Sequence, residues 1–317
     1  MLRDIQIITP LYNDWQSLGL LLEKMELVIP QNYLKRFHLT VVNDGSSQEQ
    51  PKNIVTKASF PIEIIHLSRN LGHQKAIAIG LARSAKEQDF AVTLVMDSDG
   101  EDQPEHIPLL IEDAEKNKDK IIFAHRSKRT EGILFRVFYQ LYKFLFFLLI
   151  GKTITFGNFS LIPRKSLKRL VFSSEIWNNF PGGTIRSKLP YSTLMLNRGK
   201  RLAGESKMNF TSLILHGLGA ISVHVDVVAV RILIISFLLI VFSLCGMVVV
   251  AYIRFFTDVA YPGWATSFVV GLFTILLQAF LVSLFLVFIV LNYRTQKLFI
   301  PAEDYKIYVL ETEILRT

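Results

Sequence analysis

The sequence predicts an α/β domain on a mainly parallel sheet, joined to a two-helix membrane hairpin. Three observations predict it. Short apolar runs alternate with amphipathic stretches over roughly the first 125 of the 317 residues. Two long segments near the C-terminus are free of charge. Half of the residues are hydrophobic and the mean hydropathy is positive, which is high for a soluble domain.

The strands are read at 5–9 (IQIIT), 39–43 (LTVVN), 62–67 (IEIIHL), 91–96 (AVTLVM) and 120–124 (KIIFA). Continuous apolar strands are those of a parallel sheet covered on both faces. Amphipathic stretches at Trp15–Val28 and Lys75–Ser84 supply crossover helices. The start, MLRDIQIITP, lacks the h-region of a signal peptide, so this portion is expected to stay in the cytoplasm.

Farther on, Ile232–Ile253 and Val259–Tyr293 carry no charge, and about 20 apolar residues span a bilayer. The short link RFFTDVAYPGW makes them a hairpin, with helices expected at about 229–253 and 266–292. Lys200, Arg201 and Lys207 precede it and Arg294 and Lys297 follow, whereas the link holds only Arg254. The positive-inside rule then places both flanks in the cytoplasm, as a multi-pass protein of the cytoplasmic membrane. The expected division is a catalytic domain at 1–226, the hairpin at 227–293 and a cytoplasmic tail at 294–317. Residues 132–152, with Arg136 and Lys143 in an aromatic-rich run, read as an interfacial amphipathic helix or a core helix; 210–222 is a weaker candidate.

The net charge of +8 admits nucleic acid, an anionic membrane surface or a phosphorylated substrate. Much of the basic excess lies beside the membrane segments, so a nucleic-acid partner is not expected. The single cysteine, Cys245, excludes an intramolecular disulfide and a cysteine-based zinc site.

In a parallel sheet, ligands bind at the carboxyl ends of the strands. Those ends read TPLYND, NDGSS, SRNLGHQKA and DSDGED. Tyr12 offers a ring for a base, and Asp14 and Asp44 offer acceptors for a nucleoside. Asn70 and Gly72 permit close backbone approach. The last stretch holds four carboxylates in six residues: Asp97, Asp99, Glu101 and Asp102. Neither a G-x-G-x-x-G after the first strand nor a P-loop is present. Phosphates must be met differently, and Asp97 and Asp99 are hard oxygen ligands suited to Mg²⁺ or Mn²⁺ on a pyrophosphate.

The order P-x-Y-N-acid, D-G-S, S-R-N-x-G-H, M-D-x-D and P-E-x-I-P resembles the GT-A (Rossmann-like) glycosyltransferases of family 2. More narrowly it is similar to the polyprenyl-phosphate branch: dolichol-phosphate mannose synthases and bacterial undecaprenyl-phosphate sugar transferases. The likeness runs over nearly the whole chain. It implies that Pro10, Tyr12, Asp14, Asp44, Asn70, Lys75 and Asp97 bind the nucleotide. It implies a metal site of Asp97, Asp99 and Glu101, with Asp99, Glu101, Arg126 and Arg201 in the catalytic group. The acceptor phosphate would meet Arg126, Arg129, Arg136, Arg198, Arg201, Ser206 and Lys207, the last four in the loop NRGKRLAGESK. The chain departs from the pattern at Asp14 (usually Glu), Glu101 (often Gln), Asn158-Phe159-Ser160 (commonly Asp-Phe-Arg) and near Phe135 and Arg136, where the family carries a serine. The implied partners are a nucleotide sugar, with UDP-glucose as the expected donor and GDP-mannose, UDP-GlcNAc, UDP-galactose or UDP-aminoarabinose as the alternatives, undecaprenyl phosphate and further copies of the chain in a homo-oligomer. The implied product is a lipid-phosphate sugar for cell-surface glycan.

The chemistry fits those groups. A phosphate monoester, with a second pKa of about 6, is largely dianionic at neutral pH and needs no strong base. It needs arginines to approach another anion. A single displacement would invert the anomeric carbon. Glu101 or Asp102 is the alternative, as a base. A processive polysaccharide synthase would carry more membrane segments and a Q-x-x-R-W motif, and the chain has neither. A non-catalytic scaffold is the remaining alternative, against which Asp97 and Asp99 stand.

Overall fold

The computed structural model describes residues 4–51, 54, 58–126, 140, 144, 146–151, 156–204, 217–257 and 263–316. They fall into two compact units. One comprises Met1–Gly132, Ile154–Val223 and Leu298–Thr317, the other Ile133–Thr153 and His224–Lys297.

The first unit is built on an eight-stranded sheet. Its strands are β1 (Ile5–Leu11), β2 (Phe37–Asn43), β3 (Ile62–Leu67), β4 (Val92–Val95), β5 (Ile121–Arg126), β6 (Phe156–Pro163), β7 (Tyr191–Leu196) and β8 (Val309–Arg316). Their order is β7-β5-β6-β4-β1-β2-β3-β8. β1, β2, β3 and β4 are mutually parallel, and β5 is parallel to β7. β6 runs antiparallel between β4 and β5, and β8 antiparallel beside β3. Every strand except β6 and β8 therefore ends on one common edge. Helix α1 (Trp15–Val28) spans the residues expected of it, and α2 (His73–Glu87) extends its expected segment at both ends. Further helices of this unit include α3 (Ile107–Lys116), α4 (Arg164–Leu170) and α5 (Phe180–Arg186).

Alternate strand residues feed opposite cores, as the pleat requires. Ile5, Ile7, Val41 and Leu94 pack with Leu18, Leu22 and Met25 of α1 and Leu110 of α3. Ile8, Val42, Ile65 and Val95 pack with Ala76, Ile77 and Leu81 of α2 and Phe180 of α5. The sheet is covered on both faces, which explains the continuous apolar strands.

Residues 294–317, expected as a separate tail, supply β8. Ala302 and Tyr305 are buried in the α2-side core. The Tyr305 hydroxyl donates to Glu87 at 2.5 Å. Arg83 of α2 reaches Thr312 of β8 at 3.2 Å and Glu63 of β3 at 2.6 Å. Glu63 is only 4% exposed, so its charge depends on that guanidinium.

The second unit holds α6 (Val225–Phe256) and α7 (Trp264–Thr295), both long and apolar enough to cross a membrane. They exceed the expected 229–253 and 266–292 by a few residues at each end. The buried residues of α6 are Ala229, Ser236, Ser243 and Val250, spaced by seven. That spacing is the seam of a left-handed helix pair, and small residues there let backbones approach. The outer faces stay apolar, with Phe242 65% and Phe288 67% exposed. Residues 146–150 are helical, at the end of the expected 132–152 helix, and Arg231 donates to the Leu148 carbonyl at 2.7 Å. The guanidinium caps that helix. Residues 217–222, at the end of the 210–222 candidate, are helical; the rest of both candidates lies outside the described residues.

Arg83→Ala should lower the stability of the first unit by about 3 kcal/mol, because it takes the paired guanidinium from the buried Glu63 carboxylate and leaves Oε1 without that bond, while Gln88 Nε2 still donates to Oε2 at 3.0 Å. Thermal unfolding of the purified full chain should show the loss, and Arg83→Ala/Glu63→Gln should recover part of it.

Candidate active site

The site forms where β1, β4 and β7 end. Strand β4 is pinned there by the Met96 N–H donating to Ile8 O at 3.1 Å, and by Thr9 Oγ1 donating to Met96 O at 2.9 Å. The chain then turns sharply. The Asp97 N–H donates to the Asp102 carboxylate at 3.0 Å, and the Glu101 N–H to Asp99 Oδ1 at 3.0 Å. Gly100 has φ +81°, which favours glycine. Asp102 is 3% exposed and closes this turn from within, which is a structural task rather than that of a base.

The loop after β7 lies along the turn. The Gly199 N–H donates to Glu101 O at 2.8 Å and the Leu202 N–H to Asp99 O at 2.9 Å. Leu202 sits so close to Gly100 that a Cβ there would overlap it. Two arginines of this loop meet the acids. Arg198 pairs with Glu101. Arg201 pairs with Asp14 and lies 3.2 Å from Asp99. Asp97 meets His73 of α2 at 3.1 Å. Desolvation would lower the His73 imidazole, but Asp97, with Asp102 and Asp99 beyond it, holds it above the usual histidine value.

Asn158 also adjoins His73. Its Nδ2 lies 2.9 Å from the same Nε2, a hydrogen bond only when the ring is neutral and Nε2 accepts; Gln74 Nε2 donates to Asn158 Oδ1 at 3.0 Å, and the Phe180 N–H donates to Gln74 Oε1 at 2.7 Å. Neither Gln74 nor Asn158 was among the expected site residues. A departure at 158 and a glutamine at the start of α2 were the available signals.

The nucleotide side differs in part from expectation. Tyr12 is 43% exposed just past β1, and Pro10 is buried within the strand. Asn70 is exposed on the loop after β3. Asp44 turns inward: its oxygens accept from the Leu71 N–H at 2.7 Å and the Gly72 N–H at 2.9 Å. Burial raises its carboxyl above the usual value, and those two bonds offset part of the rise. Gly45, at φ +65°, lets the loop after β2 lie against the Arg69–Asn70 backbone. Asp44 thus holds the 69–72 loop rather than presenting a bare acceptor. Lys75 lies over the Trp177 ring, 5.4 Å from its centroid, so its charge is directed to an aromatic cluster with Phe299 and Tyr308. Asn13 accepts from the Ser47 N–H at 2.8 Å and the Gln48 N–H at 3.0 Å, tying the first two strand-end loops together. Arg126 ends β5 opposite Leu196, on the same edge. Arg129, Arg136, Ser206 and Lys207 lie outside the described residues.

Among the described residues, no group of three or more His, Cys, Asp or Glu side chains is placed to hold one ion. Asp97, Asp99 and Glu101 do not form such a group, and Glu101 pairs with Arg198. Asp97 and Asp99 remain as hard oxygen donors. Such a pair fits Mg²⁺ or Mn²⁺, which usually binds one or two carboxylates and takes further ligands from substrate phosphates and water. The charge balance also fits. Asp14, Asp97, Asp99, Glu101 and Asp102 face Arg198, Arg201 and His73, so acids outnumber bases in the cluster even with the imidazole protonated.

The family profile described as "Glycosyl transferase family 2" matches residues 6–181. A Bacillus subtilis protein described as "Uncharacterized glycosyltransferase YkcC" is 29% identical over 294 residues, 86% of this chain and 84% of that one. An undecaprenyl-phosphate 4-deoxy-4-formamido-L-arabinose transferase of Photorhabdus laumondii is 31% identical over 135 residues, 42% of this chain and 40% of that one. Among solved structures, glucosyl-3-phosphoglycerate synthase from Mycobacterium tuberculosis, in complex with Mn²⁺, UDP-glucose and phosphoglyceric acid, superposes with a TM-score of 0.52. It is 16% identical, covering 71% of this chain and 80% of that one, a likeness of fold.

Gly100→Ala should destabilise the fold by about 2–3 kcal/mol, from the left-handed backbone and the overlap with Leu202. In a double-mutant cycle, adding Leu202→Ala should cost less than it does alone, because the overlap is then gone.

Proposed function

Because the chain belongs to glycosyl transferase family 2, we propose that it moves a sugar from a nucleotide diphosphate sugar to a polyprenyl phosphate at the cytoplasmic face of a membrane. The observation that carries this reading is the convergence of Asp14, Asp97, Asp99, Arg198 and Arg201 at the carboxyl edge of the parallel strands. The Photorhabdus relative is named for an undecaprenyl-phosphate reaction, which supports the acceptor class. The α6–α7 hairpin supports a membrane-bound acceptor.

Each group then has a task. Tyr12 stacks on the base, and Asp14 accepts from the nucleoside. Asp97 and Asp99 hold a divalent cation against the diphosphate. The cation, when bound, stabilises charge on the departing diphosphate. Arg198 and Arg201, on a loop fixed to the same turn, present guanidiniums to the phosphates and let two anions approach. Arg126, Arg129, Arg136, Ser206 and Lys207 complete the acceptor side. The acceptor phosphate is its own nucleophile, so the chain supplies no strong base. A single displacement inverts the anomeric carbon. UDP-glucose is the proposed donor, on the likeness of SRNLGHQKA and RLAGESK to the glucosyl branch.

Membranes holding the chain, given radiolabelled UDP- and GDP-sugars, Mg²⁺ or Mn²⁺ and undecaprenyl phosphate, should label the lipid fraction with one donor, UDP-glucose first. Asp99→Ala should reduce labelling by at least about 100-fold. Labelling that is equal in wild type and Asp99→Ala would refute the reading, and label growing into long glycan would turn it into processive synthesis.

A further inference from the structure

Both oxygens of Asp99 are engaged by the chain itself. Oδ1 accepts the Glu101 N–H at 3.0 Å, and Oδ2 faces Arg201 Nη1 at 3.2 Å. The first bond belongs to the turn and is local. The second reaches across about a hundred residues to a side chain. A cation bound at Oδ2 would meet the guanidinium directly, since the two share an acceptor and repel.

The loop carrying Arg201 does not depend on that contact. Its main chain is held by Gly199 and Leu202 bonded to carbonyls of the turn, and Leu202 packs against the core. The guanidinium has two further tethers, Asp14 at the end of β1 and the Ala203 carbonyl, to which Nε donates at 2.8 Å. Rotation of the side chain, with these two bonds realigned, takes it off Asp99 and keeps it within the site. A planar fork of N–H donors suits a phosphate as well as a carboxylate.

We propose that Arg201 is a positioning residue that competes with the divalent cation for Asp99 and passes from that carboxylate to the donor's phosphate on loading, while the loop backbone stays in place. This rests on the function proposed above. By linkage the effect is reciprocal. Arg201 weakens binding of the cation alone, and a nucleotide that accepts Arg201 strengthens it. Cation and nucleotide thus bind cooperatively through one side chain, which disfavours loading of either ligand alone.

The test is Mn²⁺ binding to the full chain, followed by the EPR signal of free Mn²⁺, with and without UDP. Arg201→Ala should bind Mn²⁺ alone about tenfold more tightly than wild type, and most of the gain that UDP confers should be lost. Arg201→Lys, which cannot bridge Asp14 and Asp99 as a fork, should lie between and keeps the test available if the alanine variant fails to fold. Lys200→Ala removes the same charge from the same loop without touching Asp99, and should change affinity less than about twofold. Unchanged affinity in both Arg201 variants, or an equal rise in Lys200→Ala, overturns the inference and leaves the function standing. Wild type that binds no Mn²⁺ even with UDP overturns the inference and the metal reading together.

Discussion

The structure depends on how it neutralises the acids at the end of β4. Four carboxylates in six residues repel one another and are too shielded for water to screen them fully, with Asp97 19%, Asp99 18% and Glu101 26% exposed. Each finds a different partner. Asp97 has His73, Asp99 has Arg201, Glu101 has Arg198, and Asp102 accepts the Asp97 N–H. These partners come from the start of α2 and the loop after β7. The neutralisation therefore draws the first, fourth and seventh strand ends and one helix N-terminus into a single site. Partly exposed ion pairs of this kind add little stability, on the order of 1 kcal/mol or less each. Their effect is geometric: they fix which side chains face one another.

The sheet explains why the acids stand where they do. A strand covered on both faces, such as Val92–Val95, has no room for a carboxylate until it leaves the sheet. Polar side chains of parallel strands therefore gather at the common carboxyl edge. This is why the sequence pointed to this edge, where the structure brings Asp14, Asp97 and Asp99 together. Partner choice was not legible. Arg201–Asp99 and Arg198–Glu101 are contacts about a hundred residues apart, and no local spacing encodes them. Asp44 and Lys75 show the converse. Both stand at strand-end loops, as expected of nucleotide ligands, yet Asp44 is engaged by two backbone donors and Lys75 by an aromatic face.

The same distinction separates the elements that could be read from those that could not. β1–β5, α1 and α2 are periodic apolar segments whose signal is local. β6, FGNFSLIP, is interrupted by Gly157 and Asn158. β7, YSTLML, is half exposed and carries the alternation of an edge strand. β8 follows the two long apolar helices, where a short polar segment reads as a tail; only pairing with β3 and burial of Tyr305 make it part of the sheet. The hairpin was legible because a run without charge needs no partner to be recognised. Its seam was not, since Ala229, Ser236, Ser243 and Val250 stand out only once the buried face is known.

Three of the positions at which the chain departs from the pattern its resemblance implies, 14, 101 and 158, fall within this network. Glutamate in place of glutamine at 101 adds a negative charge, and Arg198 is the cation that meets it. Aspartate in place of glutamate at 14 shortens the side chain by one methylene, and Arg201 spans from there to Asp99. Asparagine in place of aspartate at 158 removes a charge beside His73, leaving Asp97 as the carboxylate that the imidazole meets, while Asn158 adjoins the ring and accepts from Gln74. An extra acid at 158 would compete with Asp97 for the same imidazole.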